Sequence, residues 1–284
     1  GVIGNSIEFS ARFASGHVKV MTRAYSENAA QAPNDLALIG TDTLTAVLSE
    51  RWPEMEFAER IHFAGIIDAP DSLGETREQG PSMGFGIDLL SGNTAEAERM
   101  NLPSSLRSGR MPEKKNEVLV SRLFADKLEI TPGDVITLVG SSMYGELAMH
   151  NFIVSGTVDF GTTALDRGTV IADIRDVRDA LNMEDAASEI LGFFREGVYD
   201  EERATAICKE FNRAYNSPED EFSPVMTSLS QDKTMGFLVE YSGKLQAILV
   251  ALFIMAMSLI LWNAGLLGGL RRYSEFGMRL AIGE

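Results

Sequence analysis

The run from Leu245 to Leu270 carries no charged side chain, and Arg271-Arg272 follows it at once. Its 26 residues would form a helix roughly 39 Å long at about 1.5 Å per residue, against a hydrocarbon core of about 30 Å. The run is therefore expected to cross a lipid bilayer, with tilt. Gln246, Ser258 and Asn263 are its strongly polar side chains, and Asn263 would be costly facing lipid, so neighbouring helices are expected to cover it. Gly265 and Gly269 stand at the small-xxx-small spacing that lets helices approach closely, and are candidate transmembrane packing residues.

Residues before Lys244 have a soluble composition and are numerous enough to bury a core of their own. Arg271, Arg272 and Arg279 against Glu275 and Glu284 leave +1 after Lys244, so of the chain's net −16, residues 1–244 carry −17. An acidic body of that size argues against nucleic acid as a partner, because the phosphate backbone would repel it. The basic excess on the C-terminal side of the apolar run favours a cytoplasmic C-terminus and an extracytoplasmic body. No charged-then-apolar export signal precedes Ile3-Gly4-Asn5-Ser6, so an upstream signal peptide or spanning helix is expected. Cys208 is the single cysteine and excludes an intramolecular disulfide; with Ala204, Ile207 and Phe211 it marks one face of a helix.

The body alternates strands and helices. His17–Thr22 has strand periodicity, Thr41-Asp42-Thr43 opens a helix through Leu48 that ends before Pro53, and extended stretches are expected from Met55 to Ile67 and around Phe85–Asp88. The polar stretch from Asp68 to Gly80 is expected to be an exposed loop. Further on, Ser121 starts a helix, Val135–Val139 and Phe152–Val158 pair as strands, and Thr169–Ala172 leads into a helix through Val177 and Leu181. The fold class is α+β: a mixed α/β extracytoplasmic domain over 1–244, with a strand-rich subdomain inserted at about 91–160, one transmembrane helix at 245–270 and a cytoplasmic helix at 271–284.

Motifs of catalysis are sparse. There is no phosphate loop ending in Gly-Lys-Ser/Thr, no His-Glu-x-x-His and no Gly-x-Ser-x-Gly, so the chain is expected to be no enzyme and to need no cofactor or metal. His17, His62 and His150 stand in separate strand contexts without a second ligand at metal spacing.

Glu275, Gly277, Ala281 and Gly283 match an E-x-G-x-x-x-A-x-G pattern, and Phe276 and Leu280 share a helical face beside the Glu275/Arg279 pair. Gly109-Arg110-Met111-Pro112, Asn116–Ser121, Gly133-Asp134 and Phe152–Gly156 follow one another as G-R-x-P, N-E-V-V-V-S-like, G-D and F-x-V-x-G elements. Together these resemble FtsX-like ABC transporter permeases with a MacB-type periplasmic core domain. The resemblance implies a permease subunit in a dimer, homo- or heteromeric, joined to a cytoplasmic ABC ATPase subunit, and leaves room for a periplasmic or outer-membrane partner. It makes Glu275, Phe276, Gly277, Met278, Arg279, Leu280 and Gly283 the candidate ATPase-coupling residues. Phe160-Gly161, Leu165-Asp166 and Val170-Ile171-Ala172 resemble lipoprotein-releasing permeases of the LolC/LolE type, which implies lipoprotein release; export of peptides or macrolides by a MacB-like pump is a second branch. A non-transporting FtsX-type regulator of a cell-wall hydrolase and a singly anchored sensor module are alternatives the residues leave open.

Overall fold

The computed structural model describes residues 15–71, 74–231, 250–262, 277–279 and 281–283. In chain order the elements are β1 (Val18–Thr22), α1 (Arg23–Asn28), β2 (Leu38–Ile39), α2 (Thr41–Arg51), β3 (Met55–Pro70), β4 (Thr76–Ile87), α3 (Ala95–Arg99), α4 (Leu102–Ser105), β5 (Leu106–Gly109) and β6 (Glu117–Ser121). They continue as α5 (Arg122–Leu128), β7 (Val135–Ser141), β8 (Leu147–Val158), α6 (Thr163–Asp166), β9 (Thr169–Asp173), α7 (Ile174–Leu181), β10 (Ala186–Ala187), β11 (Glu189–Phe194), α8 (Glu201–Tyr215) and β12 (Pro224–Ser228).

The first half of β3 belongs to an α/β lobe. There the strand order is β12-β1-β11-β3, with every neighbouring pair antiparallel. Two βαβ units, β1-α2-β3 and β11-α8-β12, interlock so that each encloses a strand of the other. The boundaries of α8 follow from its sequence. Asp200 caps α8 by accepting the Arg203 N–H, Glu201 and Glu202 fill its first turn, and Ala204, Ile207, Cys208 and Phe211 turn one stripe into the core. That stripe packs with Val18, Val20, Leu48, Trp52, Met55 and Ile190. Cys208 behaves as a small buried apolar residue, and burial together with the Glu201 charge pushes its thiol up to about 12.

The second half of β3 belongs to a different structure. It pairs with β4; β4 runs parallel to β9, β9 antiparallel to β6, β6 parallel to β8, β8 antiparallel to β7, and β7 antiparallel back to β3. These six strands close on themselves as a small barrel, with β5 added beside the end of β8. Closure removes open strand edges, and the inward residues fill the interior. Ile61, Phe63, Ile67, Val120, Leu138 and Phe152 meet Phe124 and Leu128 of α5 and Val177 and Leu181 of α7 in that core. A third cluster, Phe85, Ile87, Met100, Leu102, Leu119 and Ile171, seats α3 and α4 against the barrel wall.

The stretch expected to be a loop, Asp68 to Gly80, differs in the structure: β3 continues through Pro70 and β4 resumes at Thr76, with Asp68 opposite Gln79 and Ala69 opposite Glu78. Backbone pairing lengthens the hairpin past the barrel core, and the side chains from Thr76 to Gln79 are all exposed. Such a strand end is polar for the same reason a loop is.

Of the apolar run Leu245–Leu270, the described part 250–262 is helical, with Phe253, Leu261 and Trp262 exposed. Among the described residues no helix is long and apolar enough to cross a membrane. The remaining parts of the run lie outside the described residues. The chain divides into two units, 1–232 and 233–284.

Candidate functional site

The four motif stretches of the body converge on one edge of the barrel. Gly109 has φ 73°, and a Cβ there would lie 2.2 Å from the Ser155 carbonyl oxygen, so the close approach of β5 to β8 requires glycine. The next residue, Arg110, donates its backbone N–H to that same oxygen at 2.9 Å. Its guanidinium grips Glu117 through two bonds of 2.5 and 2.7 Å, and Glu117 also accepts the N–H groups of Glu113 and Lys114. Arg110 and these donors hold the Glu117 carboxyl at about 2. Gly133 N–H donates to Val154 O at 2.8 Å, Val154 N–H to Asp134 O at 2.9 Å, and Ile153 N–H to Asn116 O at 2.8 Å. These bonds within the knot make the arrangement a scaffold that ties β5, β6 and β8 together.

A second polar cluster lies where β3 passes from one lobe to the other. Arg60 is fully buried and donates to Glu96 of α3 at 2.6 Å. Arg99, one helical turn on, bridges Glu96 at 2.9 Å and Glu56 of β3 at 2.7 Å, and its guanidinium lies 4.3 Å from the centre of the Phe193 ring. Arg178 of α7 reaches Glu59 at 2.5 Å, Thr41 at 3.0 Å and the Ala186 carbonyl at 3.0 Å. Thr45 of α2 donates to the other oxygen of Glu59 at 2.7 Å. Between these groups is a cavity of ≈ 270 Å³, floored by Phe57, Ala58 and Ile174.

Beside it, Glu189 of β11 is 2.8 Å from His62 Nε2 and 3.4 Å from the Lys19 ammonium. Burial pushes the Glu189 carboxyl up, but Lys19, His62 and Arg60 outweigh that and bring it down to about 2. His17 accepts the Phe194 N–H on Nδ1 at 2.9 Å, and burial, with the nearby Arg99 charge, lowers its pKa to about 4. This imidazole is neutral at physiological pH. His150 Nε2 is 2.9 Å from the Asn116 side chain. Each histidine has its own partner, and the three are not brought together; among the described residues no group of three or more His, Cys, Asp or Glu could hold a metal ion.

Of the expected coupling residues, Gly277, Met278, Arg279 and Gly283 are described. Residues 277–279 are helical, Met278 is exposed, Ile282 N–H donates to Arg279 O at 3.2 Å, and Gly283 takes φ 82°, the left-handed conformation that ends a helix. Glu275, Phe276 and Leu280, together with Gly265 and Gly269, lie outside the described residues. The junction cluster escapes a reading of the sequence. Its signals are an arginine inside an apolar strand, Arg60, and the Glu96/Arg99 pair at i, i+3, both of which look like ordinary surface charge until the fold closes over them.

No protein-family model and no curated protein matches the sequence. Among solved structures, the chain is similar to the periplasmic region of MacB from Actinobacillus actinomycetemcomitans, at 9% identity and a TM-score of 0.50, over 83% of this chain and 98% of that one. An interlocked α/β lobe continuous with a closed barrel is thus a mixed α/β domain with the fold of a MacB periplasmic region.

Proposed function

We propose that this chain is part of an FtsX-like ABC transporter permease subunit, whose outer domain moves when a partner ATPase hydrolyses ATP, in the service of lipoprotein release or export across the cell envelope. The observation that carries the reading is the likeness in fold along nearly the whole of the MacB periplasmic region. The charge-free run Leu245–Leu270 and the Glu275–Gly283 pattern support it from the sequence side. On this reading residues 245–270 cross the inner membrane, the body stands on its outer side, and the following helix seats Phe276, Met278 and Leu280 in a groove of the ATPase while Glu275 and Arg279 fix its register. Gly265 and Gly269 let this helix pack against others of a permease dimer.

Affinity purification of the full-length protein from detergent-solubilised membranes tests this. An ABC ATPase should accompany it in stoichiometric amount, and replacing Glu275 and Phe276 together by alanine should remove the ATPase. Co-purified lipoprotein would select the release branch. Absence of an ATPase, or its unchanged recovery with the double variant, would count against the permease and the coupling helix respectively.

A further inference from the structure

We propose that Arg99 and Arg178 form a two-point clamp that holds the barrel and the α/β lobe as one body, and that the cavity between them is the joint at which the two separate when the clamp is released. Both arginines stand on helices of the segment that leaves the α/β lobe after β3 and returns to it at β11: Arg99 on α3, Arg178 on α7. Both close on carboxylates of the other lobe. Glu56 and Glu59 lie in the part of β3 paired with β11, opposite Phe193 and Ile190. Arg178 also bonds Thr41, and Glu59 bonds Thr45, so the same contact gathers α2. Arg99 adds its stacking on Phe193 of β11.

Beyond these contacts the lobes are joined by the buried Arg60–Glu96 pair, by Asn34 donating to the Ser141 carbonyl, by the Gly40, Thr41 and Asp42 N–H groups donating to Asp185, and by two stretches of backbone. One is the β3 backbone itself, a single strand that bends and twists easily where it has no common layer on both sides. A further connection is the two-residue ladder between β2 and β10. The Arg178–Glu59 half of the clamp is the sheltered one, its side chains 16% and 14% exposed, while Arg99 at 16% meets Glu56 at 34%. A pair at the depth of Arg178–Glu59 is screened far less than a surface pair. A guanidinium is required at Arg178, because it serves Glu59, Thr41 and the Ala186 carbonyl in three directions, which a lysine ammonium on a single stem would not reproduce. The ≈ 270 Å³ of open space beside the clamp leaves room for relative movement that a close-packed seam would forbid.

The test is a distance measurement on the full-length protein, with spin labels at Ser49→Cys on α2 and Lys127→Cys on α5, both exposed, in a Cys208→Ala background. With the clamp intact, pulsed dipolar spectroscopy should give one narrow distance distribution. In Arg99→Met/Arg178→Met a second, broader population should appear, and Arg178→Lys should fall between. The isosteric pair Glu56→Gln/Glu59→Gln removes the same ion pairs from the other side with little change of shape, and should broaden the distribution as well if the arginine variant does not fold. A narrow distribution unchanged in the folded variants overturns the proposal. The readout is a distance within one chain, so it stands or falls separately from recovery of an ATPase.

Discussion

Phe63 of β3 lies directly opposite Gly84 of β4, and its ring occupies the space a side chain at 84 would need. A Cβ built on Gly84 would sit 1.9, 2.2 and 2.4 Å from three ring carbons, far inside any van der Waals contact. Gly84→Ala therefore cannot be accommodated by a small shift. Phe63 is 1% exposed, so the ring has no solvent-side alternative short of leaving the barrel core. Overpacking a core costs about 1–3 kcal/mol, and losing a buried Phe ring altogether costs about 3–5 kcal/mol. Expulsion of the ring places Gly84→Ala at roughly 3 kcal/mol, about a hundredfold in the folding equilibrium. In a Phe63→Ala background the slot is empty, and the same alanine should be neutral or stabilise by up to about 0.5–1 kcal/mol, since glycine in a strand is entropically unfavourable. Urea unfolding followed by far-UV circular dichroism, over the full double-mutant cycle, measures the coupling. A Gly84→Ala cost that is near zero, or that is the same in both backgrounds, would refute the argument that ring and glycine share one site.

Other consequences are open to direct measurement. His17 has a folded pKa of about 4 against 6.5 for the free group, so the stability it contributes is complete above pH 6.5 and is lost as pH falls toward 4. The full effect is on the order of 3 kcal/mol, and a His17→Phe variant compared with the parent between pH 7 and 4 should show a correspondingly flatter loss. Gly109→Ala combines a left-handed backbone with a contact of 2.2 Å to Ser155 O, and should destabilise by roughly 2–4 kcal/mol in thermal or urea unfolding. Cys208, with its thiol raised to about 12, should resist iodoacetamide in the native protein and react once the chain is unfolded; rapid native labelling would contradict its burial.

Local patterns in the sequence reached those elements whose periodicity is undisturbed. α8 shows its stripe from Ala204 to Phe211, β1 shows the periodicity of Val18, Val20 and Thr22, and β7 and β8 do pair, although Val135–Val139 meets Met149–Ile153 while most of Phe152–Val158 lies against β6 and β5. The double duty of β3 was not legible, because a strand that changes partners halfway carries no mark of the change in its own residues. Strands β5 to β8 lie within 91–160, whereas β3, β4 and β9, which complete the ring, lie outside it. Closure depends on Gly65 to Asp68 meeting Thr137 to Gly140, some 70 residues away, and no short-range pattern encodes that. The motif stretches were visible as words but not as a knot: the order of Gly109, Glu117, Gly133 and Ser155 along the chain does not say that they touch. The junction cluster was hidden for a related reason. Glu59 and Arg178 are 119 positions apart, and each alone is an unremarkable charge on an acidic protein.

The interlocking of β1-α2-β3 with β11-α8-β12 also sets an order of events at the ribosome. Val18 pairs with Gly192 and Ser228, so the first βαβ unit cannot complete its sheet until about 140 residues beyond α2 have been made. At about 5–20 residues per second this interval is roughly 7–30 s, during which Val18, Val20, Leu48 and Met55 have none of their final partners from β11, α8 and β12. The barrel, by contrast, has all its strands by Asp173 and can close first, with β3 already fixed in it as the template on which the α/β lobe is later assembled. The β1 to α2 segment thus waits exposed longer than the barrel does, although β1 finishes between β12 and β11.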